Sequence, residues 1–150
     1  MRVKLICATT TDGYIARHST EITTWTKDLP LFKQQTMNKT VIMGSNTYNT
    51  LESELSGRNV VVVTRKDNPK TIIQDIAKKE SECFIAGGGR TNSRFAAYIT
   101  DVYLTPHPIL FGKGIRLFYD ETIKAKTKLV KAIPVPKTDG LFQYHFSVIK

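Results

Sequence analysis

The stretch ECFIAGGGRTNSRF, from Glu82 to Phe95, constrains the fold more than any other part of the chain. Its apolar start reads as a buried strand, which passes straight into Gly87, Gly88 and Gly89. A segment of helical character follows with no intervening loop. Glycines permit positive φ and close backbone approach, so a strand can enter a helix in very few residues. On its residues alone the triplet has two readings. It is a tight strand-to-helix turn, or it is a cradle whose free N–H groups face an anion such as a pyrophosphate. It is not a GxGxxG fingerprint, since no acidic residue follows at the dinucleotide-binding spacing, and no Lys-Ser/Thr follows to make a P-loop.

The rest of the chain alternates in the same way. VKLICATT (Val3 to Thr10) reads as a buried strand, TDGYIA as a turn into a short extended segment, and residues 17–27 as a polar loop. Asp28-Leu29-Pro30 reads as a helix start, with Asp as cap and Pro in the first turn. KTVIMG is a short buried strand, and SNTYNTLESEL a helix capped by Ser45 or Asn46. NVVVVTR is a β-branched run of the kind found in strands covered on both faces. NPKTIIQDIAKKES places Ile72, Ile73 and Ile76 at helical spacing. DVYLTPHPI reads as a strand that stops at its prolines, and LFGKGIRLF as a Gly-punctuated loop. The tail reads as two strands joined around Asp139-Gly140, with Phe142, Tyr144 and Phe146 alternating. The expected fold is α/β: a central, mostly parallel sheet with a C-terminal antiparallel hairpin, flanked by about four helices. The 150 residues carry no internal repeat or linker, so one domain, 1–150, is expected.

Composition removes several functional classes. No apolar run approaches the ~20 residues that span a bilayer, and the N-terminus lacks a small-residue cleavage site. A cytoplasmic protein without a membrane partner is expected. Cys7 and Cys83 lie inside apolar runs and read as buried thiols in a reducing compartment, not as a zinc pattern. The formal charge of +9 favours anionic partners. The basic residues are spread along the chain, so solvated surface charge and steering of a phosphorylated small molecule come before nucleic acid. His18, His107 and His145 are scattered, and no nucleophile–His–Asp set or metal cluster is visible. Thr64 and Arg65 end a strand, where open α/β sheets bind ligands. They read equally as a phosphate contact or a solvated loop base. MGSNT, with Gly44, Ser45, Asn46 and Thr47, is a second strand–Gly–helix junction.

Five stretches in order resemble the dihydrofolate reductase family, with some features of the related reductases of riboflavin biosynthesis. They are NKTVIMGSNTYNTL, SGRNVVVVTR, FIAGGGRTNSRF, DVYLTPHP and FQYHFSVIK, and their order and approximate spacing hold over nearly the whole chain. The resemblance implies NADPH-dependent reduction of 7,8-dihydrofolate to tetrahydrofolate, in one-carbon metabolism, by hydride transfer to C6 and protonation at N5. It implies that Asp28 is the active-site acid and that Thr105 hydrogen-bonds it. Ile6, Ala8, Phe32, Leu51 and Arg58 match substrate positions, with Arg58 on the glutamate carboxylate. The cofactor positions are Ala8, Ile15, Ala16, Gly44, Ser45, Asn46, Thr47, Thr64, Arg65, Ala86, Gly87, Gly88, Gly89, Arg90, Thr91 and Asn92. Of these, Thr64 and Arg65 fall at the 2′-phosphate. No metal, nucleic acid or membrane partner is implied, and the chain is a monomer or homodimer.

Departures from the family pattern bear on the substrate. Ser45 stands where a basic residue is frequent, and Asn92 where Tyr is usual. The loop before Asp28 is short, and Trp25 is displaced along it. TTDGYIA and ILFGKGIRLF are closer to the riboflavin-pathway reductases. The alternative is therefore a related NADPH-dependent pyrimidine or pterin reductase of the 5-amino-6-ribosylaminouracil type.

Overall fold

A computed structural model describes residues 1–150. One seven-stranded sheet carries the structure, in the order β4-β3-β5-β1-β6-β9-β8. Its strands are β1 (Arg2–Thr10), β3 (Thr40–Gly44), β4 (Asn59–Val63), β5 (Glu82–Ile85), β6 (Asp101–His107), β8 (Lys126–Pro134) and β9 (Phe142–Ile149). The first five of these run parallel to one another, while β9 pairs antiparallel with both β6 and β8. Two short strands, β2 (Tyr14–Ala16) and β7 (Ile115–Arg116), form a separate antiparallel ribbon. The helices are α1 (Leu29–Thr36), α2 (Ser45–Leu51), α3 (Pro69–Ala77) and α4 (Gly89–Phe95). A mostly parallel sheet with an antiparallel hairpin and four flanking helices is the expected architecture.

Both faces of the sheet are covered. On one face Val3, Leu5, Ile42, Val63, Cys83, Ile85, Phe95 and Ile99 form a buried cluster, against which Ile72, Ile73 and Ile76 of α3 pack. The Ile spacing in the sequence thus marks the inward stripe of α3. On the other face Ile6, Val41, Met43, Leu55 and Phe84 are covered by Phe32 of α1 and by Tyr48 and Leu51 of α2. This second layer places the start of α1 over the carboxyl ends of β1 and β6.

Four local expectations change. NVVVV is not covered on both faces, because β4 is an edge strand; Val63 is buried but Val62 is exposed. The cap of α2 is Gly44, with no side-chain bond from Ser45 or Asn46. β6 continues through Pro106: its pairing with β9 ends at Leu104, so beyond that point only β1 borders the strand. In β9 the buried positions are Gln143 and His145, while Phe142, Tyr144 and Phe146 lie on the more open face.

These buried polar groups are paired. Gln35 of α1 and Gln143 exchange reciprocal amide bonds of 2.7 and 2.9 Å. Asp101, fully buried, accepts from His145 Nε2 at 2.8 Å, from the Thr100 hydroxyl at 2.7 Å and from Arg2. Burial pushes its carboxyl up, but these bonds outweigh it and hold the pKa below the usual carboxylate range. Asp101→Ala leaves these donors without their acceptor and should destabilise the fold by about 3 kcal/mol. Denaturant unfolding at pH 7 measures this. The difference should shrink as pH falls through the lowered Asp101 pKa, since its contribution exists only while the carboxylate is charged.

Candidate functional site

A cleft of about 1370 Å³ opens along the carboxyl ends of the parallel strands, where open α/β sheets bind ligands. Two halves are distinct. One is apolar and closes on Asp28; the other is glycine-rich and ends among arginines.

In the first half, Asp28 occupies the cap position of α1, yet its side chain makes no capping hydrogen bond. The helix is held there by its backbone instead, with Phe32 N donating to Asp28 O at 2.9 Å. The carboxyl is only 8 % exposed and turns toward β6. Burial raises its pKa, and the hydrogen bond from the Thr105 hydroxyl opposes it only in part. The Thr105 oxygen is itself buried and makes no hydrogen bond of normal geometry. Thr105 sits beside Ala8 in the β1–β6 ladder, so both arrive at this corner by register. Ile6, Ala8, Phe32 and Leu51 line the walls.

In the second half, β3 and β5 end side by side, and Gly44 N donates to Gly87 O at 3.0 Å. A Cβ at Gly44 would stand 2.8 Å from Thr91 Oγ1, so the two strand–helix junctions meet only because Gly44 has none. Gly87 has φ +97°, a conformation that glycine adopts without strain. Neither α2 nor α4 has a side-chain cap, so their first N–H groups are open. Ser45, Asn46, Thr47, Gly88, Gly89, Arg90 and Thr91 line the slot between them. Thr64, Arg65 and Arg94 line its far end. A glycine cradle leading to guanidinium groups fits the pyrophosphate and a further phosphate of a dinucleotide. The uncapped Asp28 carboxyl fits the amine and ring N–H of a heterocycle.

The placement of the sequence candidates is uneven. Ile15, Ala16 and Ala86 line the cleft between its halves. Thr105 stands behind Asp28, fully buried. Arg58 lies outside the lining; its guanidinium is anchored by Thr36 Oγ1 at 3.1 Å and by the carbonyls of Lys33 and Ser56. Asn92 does not face the cleft. It is fully buried, donating to Leu117 O at 2.9 Å and to Cys7 Sγ at 3.7 Å, so its place among the cofactor contacts is corrected. Sequence reading missed Arg94 and His107. Arg94 donates to the carbonyls of Thr64, at 2.8 Å, and Asp67, and so holds the turn that carries Arg65. It follows α4's glycines by one helical turn, a spacing that points to the same slot. Cys7 lines the cleft, but burial pushes its thiol up to about 12.

The family model for dihydrofolate reductase matches residues 2–107, a span that contains the whole of this cleft except its β7 rim. The chain belongs to the dihydrofolate reductase family. It is an oxidoreductase. It is 32% identical over 122 residues to dihydrofolate reductase type 8 of Escherichia coli, a match covering 69% of this chain and 68% of that one. Its fold is similar to a dihydrofolate reductase from Enterococcus faecalis solved with NADP(H) and RAB-propyl. That match has a TM-score of 0.79 and 18% identity, and covers 99% of this chain and 97% of that one. It is also similar to the Thermotoga maritima diaminohydroxyphosphoribosylaminopyrimidine deaminase/5-amino-6-(5-phosphoribosylamino)uracil reductase. There the TM-score is 0.76 and the identity 19%, over 99% of this chain and 56% of that one. No helix of this dihydrofolate reductase family member is long and apolar enough to cross a membrane.

A buried carboxylate that caps nothing works against the fold. Its raised pKa means that the charged form is disfavoured in the native state. Below the ordinary value of 3.8 the acid is neutral folded or unfolded and costs nothing; the penalty grows as pH rises through the raised pKa. Asp28→Asn should therefore stabilise the ligand-free enzyme at pH 8 by about 1 kcal/mol, or about 2–4 °C in Tm. Thermal melts should show the gain disappearing towards pH 4.

Proposed function

We propose that this enzyme reduces 7,8-dihydrofolate to tetrahydrofolate using NADPH, with Asp28 as the active-site acid. The observation that carries the reading is an acid with no task in its own helix. Asp28 is buried at the cap position without capping, beside a threonine hydroxyl that has no other partner than this carboxyl. A protein retains such a group at a cost to stability when a ligand uses it.

The residues divide the work. Asp28 accepts hydrogen bonds from N3–H and the 2-amino group of the pterin, and Thr105 orients it. Burial keeps the carboxyl protonated closer to neutral pH than a free one, which suits proton delivery towards N5. Phe32 packs on the pterin and Leu51 on the benzoyl group. Arg58, steadied by three oxygens, keeps its remaining N–H groups for the glutamate carboxylate. The Ile6 carbonyl meets the pterin and the Ala86 carbonyl the nicotinamide, which Ala8, Ile15 and Ala16 flank. Gly44 to Thr47 and Gly87 to Thr91 hold the pyrophosphate, and Thr64 and Arg65 the 2′-phosphate. NADPH, once bound, supplies the hydride that reaches C6.

A second reading, reduction of a ribosylated aminopyrimidine, is favoured by one feature. The ribbon of β2 and β7 reaches the cleft through Ile15, Ala16 and Ile115, and its LFGKGIRLF sequence resembles the riboflavin-pathway reductases. A phosphoribityl substrate needs a cation and has no use for a buried acid, so Asp28 favours the pterin.

Loss of NADPH absorbance is expected with dihydrofolate and not with a ribosylaminopyrimidine; the reverse result selects the second reading. Asp28→Asn should lower dihydrofolate turnover near neutral pH by about 100-fold or more while NADPH affinity stays within about threefold. In the parent, turnover should decline as pH rises above the Asp28 pKa, because the proton donor is lost. Arg65→Ala should weaken NADPH by about tenfold or more and NADH little, measured by fluorescence titration. An unchanged ratio removes Arg65 from the 2′-phosphate.

A further inference from the structure

His107 is the last residue of β6 and is only 1 % exposed. Its Nδ1 lies 2.9 Å from the carbonyl oxygen of Thr105, and its Nε2 lies 3.0 Å from the backbone N of Lys27. A carbonyl only accepts and a peptide N–H only donates. Nδ1 must therefore carry the hydrogen and Nε2 must be bare, which fixes one neutral tautomer. The ring is held on its other sides as well. Trp25 meets it edge-on, with centroids 5.4 Å apart and planes at 88°, and Trp25 in turn packs edge-on against Phe111 at 5.2 Å. The His107 carbonyl accepts from Thr11 Oγ1 at 2.7 Å and from Ile109 N at 2.8 Å. None of these contacts is made with the cleft, and the imidazole does not line it.

The two peptides that the ring joins are those next to, or part of, the two groups assigned to the pterin. Lys27 precedes Asp28, and Thr105 is the threonine behind it. We propose that His107 is a positioning residue: its imidazole ties the peptide before Asp28 to the peptide of Thr105 and so sets the spacing between the acid and its threonine. The inference rests on the reading of Asp28 above. The short loop before α1 explains the need. Asp28 does not fix itself by capping the helix, and the Thr105 hydroxyl is the one side chain that hydrogen-bonds its carboxyl, in a geometry too loose to hold it alone. A backbone clamp supplies the rigidity that the side chains lack.

The test is a double-mutant cycle on dihydrofolate reduction with NADPH, read as kcat and KM. His107→Phe keeps an aromatic ring against Trp25 and removes both ring nitrogens. It should lower kcat/KM for dihydrofolate by about 10- to 100-fold, as expected for an acid displaced by about 1 Å. NADPH affinity should stay within about threefold of the parent. His107→Gln, which retains one donor and one acceptor, should recover most of the loss. In the Asp28→Asn background, His107→Phe should cost no more than about threefold further, because there is no acid left to position. A loss of the full size in that background makes His107 a structural residue only and overturns the proposal, as does an equal loss of NADPH binding. Unchanged turnover in Asp28→Asn alone overturns the reading of Asp28, a distinct result. If the Phe variant does not fold, the parent itself decides: ring ¹⁵N shifts of His107 at pH 7.5 should report the Nδ1–H neutral tautomer. An Nε2–H or charged ring there removes the clamp.

Discussion

The burial of one carboxylate at the mouth of α1 governs how the rest of the site is built. Asp28 lies where the carboxyl edge of the sheet meets a helix start, the position at which acids ordinarily accept N–H bonds and lower their own pKa. Here the side chain turns the other way, toward Thr105 and His107, and its pKa rises. Every element around it compensates. Pro30 stands in the first turn, where its missing N–H removes one donor that a cap would have served. The backbone bond from Phe32 starts the helix without side-chain help. β6 runs three residues past the end of its β9 pairing to bring Thr105, and then His107, behind the acid.

The glycine half obeys a different constraint, that of close approach. Two strand-to-helix junctions converge, and contact between them is set by backbone atoms and one threonine hydroxyl. That arrangement sends three arginines, Arg65, Arg90 and Arg94, to the rim of the slot between α2 and α4. The formal charge of +9 is spread over the surface, but these three concentrate it at one end of the cleft, a field that favours an anionic ligand. Tyr119 stacks on Arg90 at 4.0 Å and orders one of them. Arg94 is spent on carbonyls of the 64–67 turn, so its charge is fixed in place by the fold rather than free in solvent.

How much of this was legible in the sequence follows from what kind of force places each residue. The succession of strands and helices along the chain, the α3 stripe and the two glycine junctions could be read, because periodicity and φ freedom are local properties. Asp28 could be placed at a helix start, but not oriented. A capping aspartate and a buried acid share one sequence pattern, and only the packing of β6 against α1 separates them. NVVVV reads as a covered strand, since its composition records hydrophobicity and not which neighbours the topology supplies; as β4 it has one. Asn92 occupies a cofactor position by alignment with the family, yet a shorter, polar side chain finds a carbonyl in the 117 loop instead. His107 looked like one of three scattered histidines because the bonds that define it reach 80 residues along the chain.

The same distinction explains why the polar interior of this enzyme is so unevenly satisfied. Asp101, on the far part of the sheet, accepts from three donors, His145 among them, and its geometry is closed. Thr105, four residues along the same strand, and Asp28, at a helix start, have little beyond each other, and Asp28 faces the cleft. Buried polar groups cost the fold free energy unless they are paired, so an open pair persists only where something outside the chain completes it. His107 is the intermediate case: both nitrogens are satisfied, but by the main chain on either side of the open pair. The ring thus absorbs the cost of holding an unsatisfied site in shape, and it leaves the acid free to meet its ligand.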